Sequence, residues 1–326
     1  MGYLAGLLGL ALFVVLLVRS NAHDIVHVNA QAGWKLLWLV PYRGVYFSIF
    51  AIGWWLLLNS DTGAPRATFG YLFWVTGVRE AIDRLLPVAS VGGAFAGVRL
   101  MGWRGFDRVR VTASILAEIV LTLWASYLFA ALGFLLWLQT VNAPGARTLW
   151  LALLGTLPVP LASLLLLRHG RLFARLQRGL SRVMGIERLS GRAHELDGAL
   201  QSLLRRSGIL SLAGLLQLGS LLSASLEVWL ALRWFGHPVG VAQAVILEAA
   251  TQAVRHLAFF VPAALGVQEA GLIAFGQLLG VSPELALALS LAKRMREILC
   301  GVPYLISWQW LEALHTRHLQ PRHAHP

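Results

Sequence analysis

The sequence predicts an all-α, polytopic integral membrane protein with about 7–8 transmembrane helices. Of its 326 residues, 57% are hydrophobic and only 13% are charged, whereas a soluble domain carries about a quarter charged residues. Apolar stretches recur from end to end, and each can cross a bilayer core, which takes about 20 helical residues. The chain lacks the series of short alternating segments, about 10 residues each, that a membrane β-barrel requires. Helical spans are therefore predicted throughout.

The net charge of +12 is interpreted as a sign of membrane topology. Basic loops of membrane proteins stay on the cytoplasmic side, where they face anionic phospholipid headgroups. We therefore expect no nucleic-acid partner. Cys300 is the single cysteine, which excludes an internal disulfide and a cysteine-cluster metal site. The sequence contains no nucleotide- or metal-binding motif, and we expect neither a cofactor nor a metal.

A single transmembrane domain, residues 1–314, is predicted to consist of two halves. A span at 2–18 comes first; without a basic leader or an obvious cleavage site, it is interpreted as a retained helix. In the first half, residues 21–168, the mixed polar and tryptophan-rich stretch 21–43 predicts an interfacial helix. The spans predicted in this half are 45–58, 111–138 and 148–167.

The connection at 168–206 is the most polar part of the chain, with nine arginines against three acidic residues. Its apolar residues recur at helical spacing, which predicts an amphipathic helix on the cytoplasmic membrane surface. The second half, residues 207–314, contains a predicted span at 209–232 and a last long helix at 283–313. A short basic tail, 315–326, follows.

Two apolar segments, 69–101 and 241–280, are interrupted by proline and glycine. Proline ends or kinks a helix, and glycine permits other backbone angles, so both segments are predicted to be broken or re-entrant. The interruptions match in order: Pro87, Gly92 and Gly97 correspond to Pro262, Gly266 and Gly271. Paired interruptions in two halves are typical of a transporter substrate site. The sequence leaves open whether the repeats are inverted or parallel.

Ionisable residues inside these spans cost at least about 2.5–3.5 kcal/mol each at the bilayer centre, and they usually pair or line a cavity. The predicted headgroup groove comprises Arg79, Glu80, Asp83, Arg84, Pro87, Gly92, Gly93, Arg99, Arg255, Pro262, Gly266, Gln268 and Glu269. Supporting intramembrane charges are expected at Glu118, Glu227, Glu248, Lys293, Arg294 and Glu297.

Helical spacing makes several local ion pairs available within these spans. The candidate pairs are Glu80 with Arg84, Arg79 with Asp83, and Glu297 with Lys293 or Arg294. An alternative is that such pairs only neutralise one another or extend to the membrane surface. Glu269 has no basic residue at helical spacing near it in the sequence. Among these charged residues, it is therefore the one for which a purely structural role is hardest to assign.

Two blocks of the sequence carry a family resemblance. Residues 79–93 (REAIDRLLPVASVGG), followed by Arg99, resemble the first block of the hopanoid-biosynthesis-associated membrane proteins of the HpnL type. Residues 260–271 (FVPAALGVQEAG) and 282–294 (SPELALALSLAKR) resemble that family more closely still. It lies within the flippase-like membrane proteins related to the transmembrane region of lysylphosphatidylglycerol synthase. The likeness extends from about residue 23 to 311.

The resemblance implies a bacterial inner-membrane protein that moves hopanoids or their precursors within or across the membrane. One departure concerns the first block, where an acidic residue commonly follows the paired glycines and Ala94 stands here. Asp83 stands where an amide is usual. Glu269 is then the remaining carboxylate of the Pro/Gly segments, which argues against a symmetric two-carboxylate mechanism.

The leading hypothesis is a translocase, not an enzyme, whose broken segments meet near the midplane. Its lipid headgroup would contact Arg79, Arg99, Arg255 and Glu269, while the apolar part stays in the bilayer. Two alternatives stay open. A membrane-embedded enzyme modifying a lipid headgroup would need acid and base groups at one depth, but most histidines lie outside the spans. A non-catalytic scaffold would hold other hopanoid-pathway proteins together.

Overall fold

Helices account for all regular structure in the part of the chain that the computed structural model describes, residues 15, 28–61, 65–86, 92–140, 157–168, 190–257, 261 and 264–319. After a 3-10 segment at Gly33–Trp38, the α-helices are α1 (Leu39–Leu58), α2 (Phe69–Leu85), α3 (Gly92–Trp103), α4 (Arg108–Thr140), α5 (Pro158–Arg168), α6 (Ser190–Leu204), α7 (Ser207–Trp234), α8 (Val241–Leu257), α9 (Val267–Leu278) and α10 (Pro283–Leu319). The predicted all-α fold class is confirmed. The predicted span at 2–18, Pro87, Pro262 and most of the amphipathic connection lie outside the described residues.

Three helical stretches in the described residues are long and apolar enough to cross a membrane: Val28–Leu58, Arg108–Thr140 and Ser207–Trp234. The helix α10 is longer still, at 37 residues, but it carries four charged residues between Lys293 and Glu297. Large apolar side chains on the outer faces, including Phe95, Leu215, Ile306 and Trp310, are exposed, as expected where lipid is the surrounding solvent. The chain is therefore a polytopic membrane protein.

The first interrupted segment forms a hairpin of two antiparallel helices, α2 and α3. The Tyr71 hydroxyl donates to Leu100 O over 2.6 Å near the open end, and Gly93 N donates to Asp83 Oδ1 over 2.9 Å near the tip. Leu86, which directly follows α2, is extended with φ −105° and ψ 146°, because a residue preceding proline is disfavoured in the helical region. At 17 and 12 residues, each arm is shorter than a bilayer-spanning helix of about 20 residues.

The second interrupted segment repeats this arrangement with α8 and α9, again 17 and 12 residues long. The two arms approach closely at Gly271, where an added Cβ would lie 3.4 Å from Val254 Cγ1. At the entry to α9, Gly266 has φ 74°, a left-handed conformation that glycine adopts without steric cost. The two predicted broken segments are therefore helical hairpins of equal arm lengths.

The helices that precede the hairpins, α1 and α7, run in opposite directions. The Tyr42 hydroxyl, near the start of α1, donates to Ser223 O over 2.8 Å, in the second half of α7. Near the end of α1, a Cβ on Gly53 would lie 3.6 Å from Ala213 O, near the start of α7. The hairpins consequently enter from opposite ends of the molecule. The structural repeats are inverted, which the sequence had left open.

Each hairpin packs mainly against the long helix of the other repeat: α2 lies on α10, and α8 lies on α4. Glycines allow the close approach, since a Cβ on Gly301 of α10 would lie 2.6 Å from Leu85 Cδ1, and one on Gly133 of α4 would lie 2.5 Å from Ala249 Cβ. Each repeat has its own apolar cluster, centred on Leu72 and Leu100 in the first and on Leu232 and Leu247 in the second.

The end of the molecule where the first hairpin enters is rich in arginine. We call it the Arg-rich end, defined by Arg104, Arg108, Arg110, Arg205 and Arg206. Two of these arginine side chains bind backbone carbonyl groups at the C-terminal end of α1 and in the loop that follows it. Arg110 donates to Leu58 O and Pro65 O, and Arg206 donates to Ser60 O. Cations there satisfy the free carbonyls of a helix C-terminus.

Substitution of Gly93 tests the closure of the first hairpin. The Cβ of alanine at this buried position would lie 2.5 Å from the Arg79 carbonyl oxygen, so the backbones of α2 and α3 must separate. We expect Gly93→Ala to destabilise the protein by about 1–3 kcal/mol, as overpacking does, and to lower the unfolding midpoint measured in detergent.

Gly102→Ala, in the same helix, is the matched control. Its added Cβ would have an ordinary contact of 3.6 Å with Arg108 Nε, and alanine favours helix by up to about 1 kcal/mol over glycine. An unchanged or slightly higher midpoint is expected. Equal midpoints for the Gly93→Ala variant and the wild type would contradict the tight hairpin.

Candidate functional site

A connected set of ion pairs lies buried between the two hairpin tips. We call it the charge network, and its members come from α1, α2, α7, α9 and α10. None of these side chains is more than 23% exposed. Arginines and glutamates are present in equal number, so the network has no net charge. The members are Arg43, Arg84, Arg294, Arg296, Glu80, Glu227, Glu269 and Glu297.

One line of contacts in the network joins the tip of the first hairpin to the tip of the second. Arg84, in the last turn of α2, has Nη1 3.8 Å from Glu297 Oε1 on α10. Glu297 Oε2 lies 3.3 Å from Arg294 Nη1, and Arg294 Nη2 lies 3.4 Å from Glu269 Oε1 in the first turn of α9. Glu269 also accepts a 2.8 Å hydrogen bond from the Ser290 hydroxyl. Through α10, the two tips therefore share one set of charges.

A second line of contacts passes through Arg43 of α1. Its Nη2 lies 3.0 Å from Glu80 Oε1, its Nη1 lies 3.9 Å from Glu227 Oε2, and its guanidinium covers the Tyr46 ring at 3.6 Å. Glu227 of α7 in turn accepts from Arg296 Nη1 over 2.7 Å. Arg43 was assigned to the interfacial stretch, and Arg296 was left out of the predicted site. Their position inside an apolar run was the available signal, but their partners lie on α2 and α7, far along the chain.

Two further buried ion pairs stand apart from the network. Arg79 Nη2 of α2 lies 2.7 Å from Glu118 Oε2 of α4, and Lys293 Nζ of α10 lies 2.5 Å from Glu248 Oε2 of α8. In each repeat, the pair ties the first arm of the hairpin to the long helix that follows it. The signs are exchanged between the repeats. These carboxylates are interhelical contacts, each 2% exposed or less.

The local pairs available from helical spacing form only in part. Glu80 and Arg84 pair across one turn at 3.0 Å. Arg79 and Asp83 do not, because Asp83 instead accepts the hydrogen bond from Gly93 N that closes the hairpin. Lys293 points to Glu248 on α8, so Glu297 is paired along its own helix with Arg294.

The structure does not bring Arg79, Arg99 and Arg255 together with Glu269 in one headgroup site. Arg79 turns to α4, as described above. Arg99 lies towards the Arg-rich end with its side chain 59% exposed and pairs with Glu312. Arg255 is half-buried on α8, and no carboxylate of the described residues lies within ion-pair distance of it. These three arginines lie at different positions along the hairpin arms, so they do not meet at Glu269.

The remaining predicted positions frame the tips. Gly92 and Gly266 mark the entry to α3 and α9. Gln268 is 1% exposed, and neither amide atom has a hydrogen-bond partner in the described structure. Among the described residues, no three metal-ligating side chains converge. The carboxylates of the charge network face guanidinium groups instead.

A cavity of about 20 Å³ lies within the network, lined by Arg43, Glu80, Arg84, Arg296, Glu297 and Cys300 among others. A water molecule needs about 10–15 Å³ of such space. The cavity therefore accommodates about one water between arginines and glutamates. A polar group larger than water does not fit this cavity as it stands.

Comparison with known proteins gives one family. The family model for the lysylphosphatidylglycerol synthase TM region matches residues 4–302. No curated protein matches the chain, and no solved structure matches it.

Exchange of the two charges in the α8–α10 pair tests its structural role. Glu248→Lys alone places two buried cations together, and breaking a buried ion pair costs about 3–5 kcal/mol. We expect the single variant to lose most of its folded yield. The double variant Glu248→Lys, Lys293→Glu should recover it, because the opposite sign order already exists in the pair Arg79–Glu118. The measurement is the monodisperse fraction in detergent and its unfolding midpoint.

The control is Glu195→Lys, an exposed position on α6, which should behave as the wild type. If the charge-exchanged double variant folds as poorly as the single variant, the pair requires more than opposite charge.

Proposed function

This chain belongs to the family of the lysylphosphatidylglycerol synthase TM region, and from that premise we propose that it is a translocase for an amphiphilic membrane lipid. The family indicates a lipid-related membrane protein with a flippase-like region. The observation that carries the proposal is the buried charge network that joins the tips of two inverted hairpins. Inverted repeats with interrupted helices and a polar site near the midplane are the architecture of many secondary transporters.

Burial of this many charges is hard to explain by stability alone. A buried ion pair contributes little net stability, because removing both ions from water offsets their attraction. Charged residues inside a membrane domain are accordingly rare and usually functional. Here they lie on three helices that frame the hairpins, α1, α7 and α10, and on the hairpin arms α2 and α9, where a change of pairing would alter the position of an arm. The network is suited to coupling headgroup contact with hairpin movement.

The contact lengths indicate where a headgroup would enter. The links Arg84–Glu297 and Arg294–Glu269 are long, at 3.8 and 3.4 Å, whereas charge-assisted hydrogen bonds are usually about 2.7–2.9 Å. Breaking a long ion pair costs less interaction energy than breaking a short one, so its partners are exchanged more easily. A headgroup that donates and accepts hydrogen bonds would replace these links as the tips separate, while its apolar part stays against the lipid-exposed faces.

The substrate we propose is a hopanoid or a hopanoid precursor. Two features support this class: the resemblance of residues 79–93 and 260–271 to hopanoid-associated membrane proteins, and the neutrality of the charge network. A site with equal numbers of cations and anions has no charge surplus for an anionic headgroup, whereas hydroxyl groups can bond to both kinds of partner. We further propose the bacterial inner membrane as its location, with the Arg-rich end facing the cytoplasm.

Glu269→Gln tests the translocase proposal in vesicles. The full-length protein is reconstituted, and flipping of a nitrobenzoxadiazole-labelled hopanoid polyol is followed by dithionite quenching. The amide keeps the shape of Glu269 but removes the charge opposite Arg294. We expect translocation at least about tenfold slower, because about 1.4 kcal/mol corresponds to a factor of ten in rate and loss of one charge of a buried pair exceeds that.

Glu312→Gln is the matched control, since Glu312 pairs with Arg99 outside the network. It should translocate at the wild-type rate. Equal rates for Glu269→Gln and the wild type would remove Glu269 from the mechanism. No translocation by the wild-type protein above empty vesicles would overturn the proposal.

A cell-based measurement tests the hopanoid assignment separately. Hopanoids are quantified in the inner and outer membranes of a deletion strain that carries the wild-type or the Glu269→Gln gene. We expect the variant to insert normally and to reproduce the hopanoid distribution of the deletion. Full restoration by the variant would favour a scaffold, and an unchanged distribution in the deletion strain itself would exclude hopanoids as the substrate.

A further inference from the structure

The two intra-repeat ion pairs differ in how completely their polar atoms are bonded. In the second repeat, Glu248 accepts from Lys293 with one oxygen and from Gln252 with the other. In the first repeat, Glu118 is 1% exposed, and its Oε1 has no hydrogen-bond partner in the described structure; the same holds for Nε and Nη1 of Arg79. The Arg79–Glu118 pair thus has buried polar atoms without a hydrogen bond, whereas both carboxylate oxygens of Glu248 are bonded.

A third buried group without hydrogen-bond partners lies on α7. Gln217 of α7 is 1% exposed, and both of its amide atoms lack a partner among the described residues. Its Nε2 lies 3.4 Å from the position of a Cβ on Gly53. The next residue is Trp54, whose ring lies 4.5 Å from the Arg79 guanidinium. Buried donors and acceptors without a partner among the described residues therefore occur on α2, α4 and α7, the helices around Gly53 and Trp54 of α1.

Water both donates and accepts hydrogen bonds, so it can bond to buried donors and buried acceptors alike. Arg79 and the Gln217 amide offer donors, whereas Glu118 Oε1 and the Gln217 carbonyl offer acceptors. Buried polar groups are almost always hydrogen-bonded, and a buried water typically makes about three such bonds. Because Arg79 and Glu118 already neutralise each other, the site requires no charged ligand.

A route to this place begins at the Arg-rich end. A cavity of about 450 Å³ lies there, with Asp61 and Arg206 at its exposed part and the buried Ser114 in its lining. The Ser114 hydroxyl accepts a 3.0 Å hydrogen bond from Trp54 Nε1. Trp54 in turn covers Arg79. Ser114 and Trp54 therefore lie between this cavity and the Arg79–Glu118 pair.

We propose that Glu118 is the proton-exchange site of this protein, supplied by water from the cavity at the Arg-rich end. A hydronium ion transfers its proton to Glu118 Oε1, which leaves water and a neutral carboxylic acid. The ion pair with Arg79 is lost, so the tie between α2 and α4 weakens and the first hairpin is released. Deprotonation to water restores the pair and the hairpin. The inference rests on the proposed translocase, whose energy source it names.

The charged groups that act most strongly on Glu118 belong to α2: Arg79 directly, and Glu80 and Asp83 from further away. Of the other helices packed against α4, α3 carries Arg99, which pairs with Glu312. Trp54 of α1 and Gln217 of α7 do not titrate. His256 of α8 contacts Ser126, two turns further along α4. The buried Asp197 belongs to α6, which packs on α4 through Ala117 and Val120, on either side of Glu118. Arg79 is therefore the partner that proton binding displaces.

The test compares two doubly neutralised variants of the full chain. Arg79→Gln with Glu118→Gln removes the proposed site without leaving a buried unpaired charge. Glu248→Gln with Lys293→Gln does the same to its counterpart and is the matched control. Infrared difference spectroscopy during a pH titration detects the carbonyl band of a buried carboxylic acid. We expect this band in the wild type and the control, and its loss in the Arg79→Gln, Glu118→Gln variant.

The second measurement is translocation of the labelled hopanoid polyol in vesicles with and without an imposed pH gradient. The gradient should accelerate the wild type and the control, and the rate of the Arg79→Gln, Glu118→Gln variant should not respond. A carboxylic-acid band that persists in this variant, or a retained response to the gradient, overturns the proton site. If the wild type shows no translocation at all, the translocase proposal fails, and the infrared band alone decides whether Glu118 exchanges protons.

Discussion

Charge neutralisation inside an apolar domain is the constraint on which the rest of this structure depends. An unpaired ion in a bilayer or a protein interior is far more costly than a paired one. In the described part of the chain, every buried arginine or lysine has a glutamate within ion-pair distance. Each of these pairings joins different helices, so the position of one helix is determined by the charges of another.

The inverted arrangement explains why the network lies where it does. The hairpins enter from opposite ends, and their tips approach the same depth from either side. The long helix α10 passes both tips and supplies Arg294, Arg296 and Glu297 between them. An arm of 12 residues is too short to cross a bilayer alone, and the helix ends carrying Arg84 and Glu269 lie inside protein, where polar side chains are tolerated.

The repeats share their architecture but differ in chemistry. The pairs Arg79–Glu118 and Glu248–Lys293 have the same location and opposite signs. Glu269 binds Arg294 and Ser290 in the second repeat, whereas Ala94 follows the paired glycines of the first. The charge network and the incompletely bonded Arg79–Glu118 pair consequently stand at different places. A headgroup and a proton would thus act on separate contacts of the same hairpin.

The sequence by itself determined the membrane class, the helices, the two interruptions and most of the buried charges, including Glu269, Glu227 and Glu118. These features depend on local hydropathy and on the backbone preferences of proline and glycine, which are readable within some 20 residues. Only the tertiary structure decided the inverted direction, the entry of Arg43 and Arg296 into the network, and the separation of Arg99 and Arg79 from it. Ion pairing in the network joins residues that lie far apart along the chain, as Arg84 with Glu297 and Arg43 with Glu227, and no local pattern specifies such a partner. Helical spacing correctly predicted the pair Glu80–Arg84. It gave no sign that Asp83 would instead accept a hydrogen bond from the backbone amide of Gly93 on the other arm of the hairpin.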